Sequence, residues 1–327
     1  MGVLVTGATG LVGNNIVRQL LDAQERVRVL VREGSPPEPL DGLDIEVHYG
    51  DVCDAAAVRT ACEDMSVVIH AAARVHIGWS NLDVLRRVNV EGTRHVAAAA
   101  LKVGARMIHV SSVDTLGVGS KAEPADEETP RVGKTPCSYV VSKREAEQVV
   151  HQFIDDGLDA VITNPSLMFG PWDWKPSSGR MMVEVARAFT PLAPTGGISV
   201  CDVRDVAAGI ISAVENGQAG NNYILAGHNI TYLDLWRQIA AISGGGAPVG
   251  KLGPVTGFFA GKSFDVLGKI IGKELVINSA AIAMSRLFNY YSSDKAIIEL
   301  NYKVRPLDEI LEDAWKWHSS RTQLKKQ

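Results

Sequence analysis

Thr6-Gly7-Ala8-Thr9-Gly10-Leu11-Val12-Gly13 is the stretch on which the reading of this chain turns. A short β-branched run, Gly2–Thr6, precedes it, and an apolar helical pattern, Leu11–Ala23, follows. Glycines let a backbone turn sharply and bring its amides close to a ligand. A helix that starts directly after such a turn offers free N–H groups and positive potential, which suits a pyrophosphate. The glycines are spaced three and three, unlike the GxGxxG of the longer dinucleotide fingerprint. The bland alternative is a strand-to-helix turn without a ligand, and the pattern downstream argues against it.

Candidate strands at Arg26–Val31, Ile45–Tyr49, Val67–His70, Arg106–Ser111 and Asp159–Thr163 alternate with helical stretches at Ala55–Cys62, Leu82–Lys102 and Tyr139–Asp155. Strands and helices alternating at these lengths predict βαβ units, hence an α/β fold with a doubly wound parallel Rossmann sheet. After Pro165 the texture becomes turn-rich and more helical, with Trp172 and Trp174 in the first turn. Residues 1–165 therefore read as an NAD(P)-binding domain, and 166–327 mainly as a smaller substrate-binding domain. Segments near 198–227, Ile198–Val214 and Tyr223–Ala226, are expected to return to the first sheet.

Hydrophobic residues make up 46% of the 327 and charged residues 21%, enough apolar material for a sizeable core. A net charge of −4 implies no general attraction to nucleic acid. The four cysteines form no CxxC pair and no metal-finger spacing, so neither disulfides nor a metal are expected. A strand begins at once and leaves no room for a leader, and no apolar run reaches the ~20 residues of a membrane span. A cytoplasmic protein is the expectation.

Two side chains bear on the cofactor. Arg32 follows the second strand about 20 residues after the last glycine, where a ribose-reading group is expected. An arginine there pairs with a 2′-phosphate and favours NADP(H). Glu33, one position later, keeps NAD(H) as the alternative. Asp51, in Gly50-Asp51-Val52, is placed to accept from the adenine amino group, or else it or Asp54 caps the next helix. Ala71-Ala72-Ala73 offers small side chains where backbone passes a flat ligand.

The chemistry points to Ser138-Tyr139-Val140-Val141-Ser142-Lys143. Positions i and i+4 share a helix face, so Tyr139 and Lys143 can act together. A nearby ammonium favours the phenolate and brings the tyrosine toward useful acid–base chemistry. Ser112, at the carboxyl end of the fifth strand, can donate to the same substrate oxygen, whereas Ser111 is expected to belong to the strand.

With these residues in view, the chain resembles an extended short-chain dehydrogenase/reductase of the NAD-dependent epimerase/dehydratase superfamily. The likeness rests on the TGATGLVG start, Asp51-Val52, His70-Ala71-Ala72-Ala73, Asn89-Val90-Glu91-Gly92-Thr93, Val110-Ser111-Ser112 with Gly117, Tyr139/Lys143, and Asn164-Pro165-Ser166 with Gly170-Pro171. Later, Asp202–Ala207 and Ser293–Ala296 with Leu307 look like the family's closing motifs. The texture is most similar to dihydroflavonol-4-reductase-like, 3β-hydroxysteroid dehydrogenase-like and hopanoid-associated sugar epimerase-like branches.

The resemblance implies Tyr139 as general acid/base, Lys143 also on the nicotinamide ribose, and Ser112 orienting the substrate oxygen. It implies that the backbone around Pro165, Ser166 and Leu167 lies along the nicotinamide carboxamide; Gly7, Thr9, Gly10, Leu11, Val12, Gly13, Asp51, Val52, Ala71, Ala72 and Ala73 are the other candidates for holding the cofactor. A dimer is plausible on the same ground.

His76, Asp114 and Trp172 are the candidates for lining a substrate cleft. Asp114 stands where many nucleotide-sugar epimerases carry a small hydroxyl, and Trp172-Asp173-Trp174 lacks their frequent arginine. Gly257–Val276 carries an apolar stripe interleaved with Lys262, Lys269 and Lys273, which reads as an amphipathic helix packed on its own domain or as a membrane-surface contact. The expected activity is hydride transfer at a carbinol or carbonyl carbon of a small organic molecule. A nucleotide-sugar epimerase or dehydratase with tightly bound NAD is the alternative, and a non-catalytic NADP-sensing regulator the third reading.

Overall fold

The computed structural model describes residues 1–176, 178–187 and 190–324. Its first part alternates β1 (Gly2–Thr6), α1 (Leu11–Asp22), β2 (Arg26–Val31), β3 (Glu46–Tyr49), α2 (Ala55–Cys62), β4 (Val67–His70), α3 (Leu82–Leu85), α4 (Gly92–Val103), β5 (Arg106–Val110), α5 (Ser138–Asp155) and β6 (Ala160–Pro165). Then come β7 (Leu167–Phe169), α6 (Ser178–Arg187), β8 (Leu192–Ala193), β9 (Gly197–Asp202), α7 (Val203–Asn216), β10 (Asn222–Leu225), β11 (His228–Thr231) and α8 (Tyr232–Ser243). The chain continues through β12 (Gly250–Lys251), α9 (Pro254–Ile271), α10 (Ser279–Ser285), β13 (Phe288–Asn289), α11 (Asp294–Leu300) and α12 (Leu307–Leu324).

Seven parallel strands form the main sheet in the order β10-β6-β5-β4-β1-β2-β3. Period-two alternation sends Val3, Val5, Val29 and Ile69 to the face under α1 and α7, and Leu4, Leu30, Val68 and Met107 to the face under α2, α4 and α5. Both faces are covered, which is why these strands read as continuous apolar runs. The order reverses between β1 and β4, so the carboxyl ends of these two strands flank the crevice where open α/β sheets bind ligands.

Several boundaries differ from the sequence reading. The fifth strand ends at Val110, although the Ser111 amide still donates to the Thr163 carbonyl at 2.7 Å. The sixth runs through Asn164-Pro165, because β10 pairs with it at the sheet edge as far as Leu225↔Pro165. The helical stretch Leu82–Lys102 is interrupted by a wider π turn at Arg86–Glu91. Of the segments expected back at the main sheet, β10 joins it and α7 packs on α1. β9 instead pairs with β7, β11 and β13 in a smaller sheet. One residue, Ser166, separates β6 in the large sheet from β7 in the small one.

Candidate active site

The glycine turn is built by contact as much as by torsion. Gly7 has φ +76°, and a Cβ there would lie 2.7 Å from the Ala71 carbonyl carbon and the Ala72 amide. The turn is therefore pressed against the end of β4, where the Ala72 amide donates to Thr6 Oγ1 at 3.2 Å. Gly13 packs on Gly7, with a Cβ at 13 falling 2.7 Å from the Gly7 carbonyl carbon. Gly10 faces outward. It stands at the N-cap of α1, and among the described residues no side chain caps that helix. An open, uncapped helix start above a side-chain-free turn fits a dinucleotide pyrophosphate on its geometry. Thr9, Leu11 and Val12 sit half-buried on the rim of that turn.

Arg32 lies just past β2 with its side chain in solvent; its carbonyl accepts from the Ser35 amide at 3.1 Å, and among the described residues its guanidinium makes no hydrogen bond or ion pair. Of the two acids, it is Asp54 that takes the capping role. Asp51 Oδ1 accepts from the Cys53 amide at 2.9 Å, and Asp54 caps α2 through the Ala56 and Ala57 amides. Val52 is buried against Gly92 at the start of α4.

The second half of the site rests on α5. Its inner face carries Tyr139, Lys143 and Glu147 at successive i, i+4 positions, all buried. Lys143 Nζ donates to the Val110 carbonyl at 2.9 Å, which ties it to the end of β5. Ser112 lies one residue past Ser111, its Oγ accepting from the Asp114 amide at 3.1 Å and hydrogen-bonding the Tyr139 hydroxyl. The structure thus brings Ser112, Tyr139 and Lys143 together beyond the carboxyl end of β5.

Burial dominates the protonation of this corner. It pushes the Tyr139 phenol up, the Asp114 charge adds to that, and the Ser112 hydrogen bond opposes it. Burial also pulls the Lys143 ammonium down to about 8, against the attraction of Glu147. The expectation that Lys143 would govern the Tyr139 phenol is corrected in this respect: desolvation outweighs it.

Supporting hydrogen bonds hold the corner in place. Glu147 accepts from Thr115 Oγ1 at 2.8 Å, Asn164 Nδ2 at 2.7 Å and Arg131 at 2.6 Å. Asn89, in the π turn, donates to Ser142 Oγ at 3.0 Å and to the Arg74 carbonyl, and it accepts from the Arg74 amide at 2.7 Å. It pins the loop after β4 to α5. Pro165, Ser166 and Leu167 form the corner between the two sheets, with Ser166 Oγ donating to Cys201 Sγ at 3.3 Å.

The three cleft candidates part company. Asp114 does stand beside Tyr139, ion-paired at 3.1 Å with Lys134, whose Nζ also donates to Asn289 Oδ1 at 2.7 Å. His76 is engaged by Glu274 at 2.7 Å. Trp172 is a correction: the Arg18 guanidinium of α1 lies 3.4 Å over its ring, and Trp317 of α12 packs at 4.8 Å. It joins helices on the far side of the glycine turn instead of lining the Tyr139 corner. Sequence reasoning missed Glu147, which continues the Tyr139/Lys143 spacing by four and was available on that signal. It also missed Lys134 and Asn289, which no local spacing marks.

The geometry agrees with comparisons to known proteins. The model of the NAD dependent epimerase/dehydratase family matches residues 3–226. A putative dihydroflavonol 4-reductase of Synechocystis sp. is 34% identical over 99% of this chain and 96% of its own. Sterol demethylase protein B of Methylococcus capsulatus is 34% identical over 75% of each. The crystal structure of gox2253 superposes with a TM-score of 0.85 at 35% identity, covering 98% of both chains. The chain belongs to the NAD dependent epimerase/dehydratase family and is an enzyme of the extended short-chain dehydrogenase/reductase type.

Proposed function

We propose that this enzyme is an NADP(H)-dependent reductase or dehydrogenase acting on a carbonyl or carbinol carbon of a small, largely apolar organic substrate. The observation that carries the reading is the buried meeting of Ser112, Tyr139 and Lys143 at the end of β5, beside the glycine turn. When bound, the nicotinamide supplies or accepts a hydride. Ser112 holds the substrate oxygen, and Tyr139, kept in its acid form by burial, gives that oxygen a proton as the carbonyl is reduced. Lys143 orients the cofactor ribose and returns charge balance to the phenol. For oxidation the same proton runs back. Two relatives named for a dihydroflavonol and a sterol favour a flat apolar substrate.

The free Arg32 side chain supports the 2′-phosphate preference. The test is to denature fresh protein, identify any released nucleotide by mass spectrometry, and titrate NADPH and NADH into protein free of nucleotide. NADPH is expected to bind at least about tenfold tighter, and Arg32→Ala to erase most of that difference. Near-stoichiometric release of NAD would overturn the exchanging reductase in favour of an epimerase or dehydratase that keeps its cofactor through the cycle.

A further inference from the structure

Helix α9 is packed inside out. Its buried positions are Gly257, Gly261 and Gly268. A Cβ at Gly261 would come 2.9 Å from Ser279 Cα, and one at Gly268 would come 3.0 Å from the Lys273 carbonyl oxygen. The glycines thus let the helix lie close on α10 and on the turn that follows it. Its bulky side chains point the other way: Val255, Phe258, Phe259, Val266, Ile270 and Ile271 are exposed, Phe259 at 64% and Ile270 at 77%. An ordinary surface helix does the reverse, burying its apolar stripe and showing its polar face.

The charges around this face are sorted by direction. Lys251, Lys262, Lys269 and Lys273 are exposed, Lys262 also forming a long, 4.0 Å ion pair with Asp265. The two acids of the same region turn inward. Asp265 accepts from the Ser279 amide at 2.9 Å at the start of α10, and Glu274 accepts from His76 Nε2 and from the Trp79 and Ser80 amides. A chain with net charge −4 therefore presents here an exposed apolar face interleaved with lysines.

We propose that α9 is a membrane-docking helix that rests this face on an anionic lipid surface. Protein interfaces are depleted in lysine at their core, whereas interfacial helices carry lysines whose stems flank the apolar face while the ammonium reaches the headgroups. Among the described residues no helix is long and apolar enough to cross a membrane, so the contact is peripheral. The opposite, glycine side of α9 packs on α10, which leads to the active-site wall. Asn278 Nδ2 donates to the Ile77 carbonyl at 2.8 Å, and Ile77 packs on the cluster that contains Tyr139. Docking would place α10 and the loop after β4 one helix layer behind the lipid boundary.

The test is flotation of the whole protein with vesicles of phosphatidylcholine alone or with added phosphatidylglycerol, which reads partitioning and not turnover, so it stands apart from the reductase reading. Binding is expected on the phosphatidylglycerol vesicles and is weakened by salt. Either Phe259→Ser/Ile270→Ser or Lys262→Glu/Lys269→Glu should lower it at least about tenfold. These positions are exposed, so thermal melts should match the parent protein. Three results would overturn the proposal: no binding to the anionic vesicles, binding indifferent to both double variants, or no vesicle binding together with a dimer in sedimentation velocity that Phe259→Ser/Ile270→Ser dissolves. The last would assign the face to a second copy of the chain.

Discussion

The glycine turn and the Tyr139 corner lie along the same carboxyl edge of the main sheet and are made of different material. The turn is backbone: Gly7 against Ala71, Gly13 against Gly7, and a helix start with no side chain over it. The corner is side chain: a buried lysine, carboxylate and phenol on one face of α5, tied to β5 and β6 by hydrogen bonds. On the proposed reading the first would recognise by shape and dipole, which tolerate no added atom, and the second would work through ionisable groups taken out of water, which tolerate exchange of an atom in structure but not in chemistry. Failure in the two regions should therefore look different.

The largest expected effect separates them directly. Tyr139→Phe removes the proposed proton carrier and keeps the ring packing, so kcat for ketone reduction should fall about 10²–10⁴-fold. Binding of NADPH, followed by fluorescence titration, should stay within about twofold. A parallel loss of cofactor affinity would show that the two regions are not separable. Gly13→Ala should do the converse. The added methyl meets Gly7 backbone, which has no flexible end to yield, and overpacking of that kind costs about 1–3 kcal/mol. Cofactor affinity should drop roughly tenfold or more, while kcat at saturating cofactor holds far better.

The smallest effect concerns stability. Lys143 titrates near 8 in the folded protein against an ordinary 10.5, so between those values the unfolded chain binds more protons than the folded one. Its contribution to stability therefore rises with pH across that window, and below about pH 8 the buried ammonium is a full cost to the fold. Lys143→Met should be inactive yet more stable at neutral pH, by on the order of 1 kcal/mol net of the lost bond to Val110. The gain should shrink as pH rises toward 10. Thermal melts across pH read this, and a variant less stable than its parent at pH 7 would remove the burden assigned to Lys143.

How much of this could be read along the chain follows the same division. The glycine turn, β1 to β6, and the Tyr139/Lys143 pair are local patterns, each a spacing of a few residues whose physics is complete within one turn or one strand. Lys134 and Asn289 are 155 residues apart in sequence and meet only through the smaller sheet. Trp172 is the instructive miss, since an aromatic after Gly170-Pro171 looks available until α1 and α12 close on it from both sides. The assignment of β9 failed for a related reason. Its apolar run said that it is a buried strand, but not beside which strands.

The single residue between β6 and β7 has a mechanical consequence. Ser166 is held at both ends, its amide donating to the Leu225 carbonyl at 3.1 Å and its hydroxyl donating to Cys201. A connector with so few free torsions transmits tilt and stores no slack. The two sheets then behave as one stiff frame, and room for an incoming molecule has to come from segments hung outside it, such as the loop after β4 and the helices that brace it.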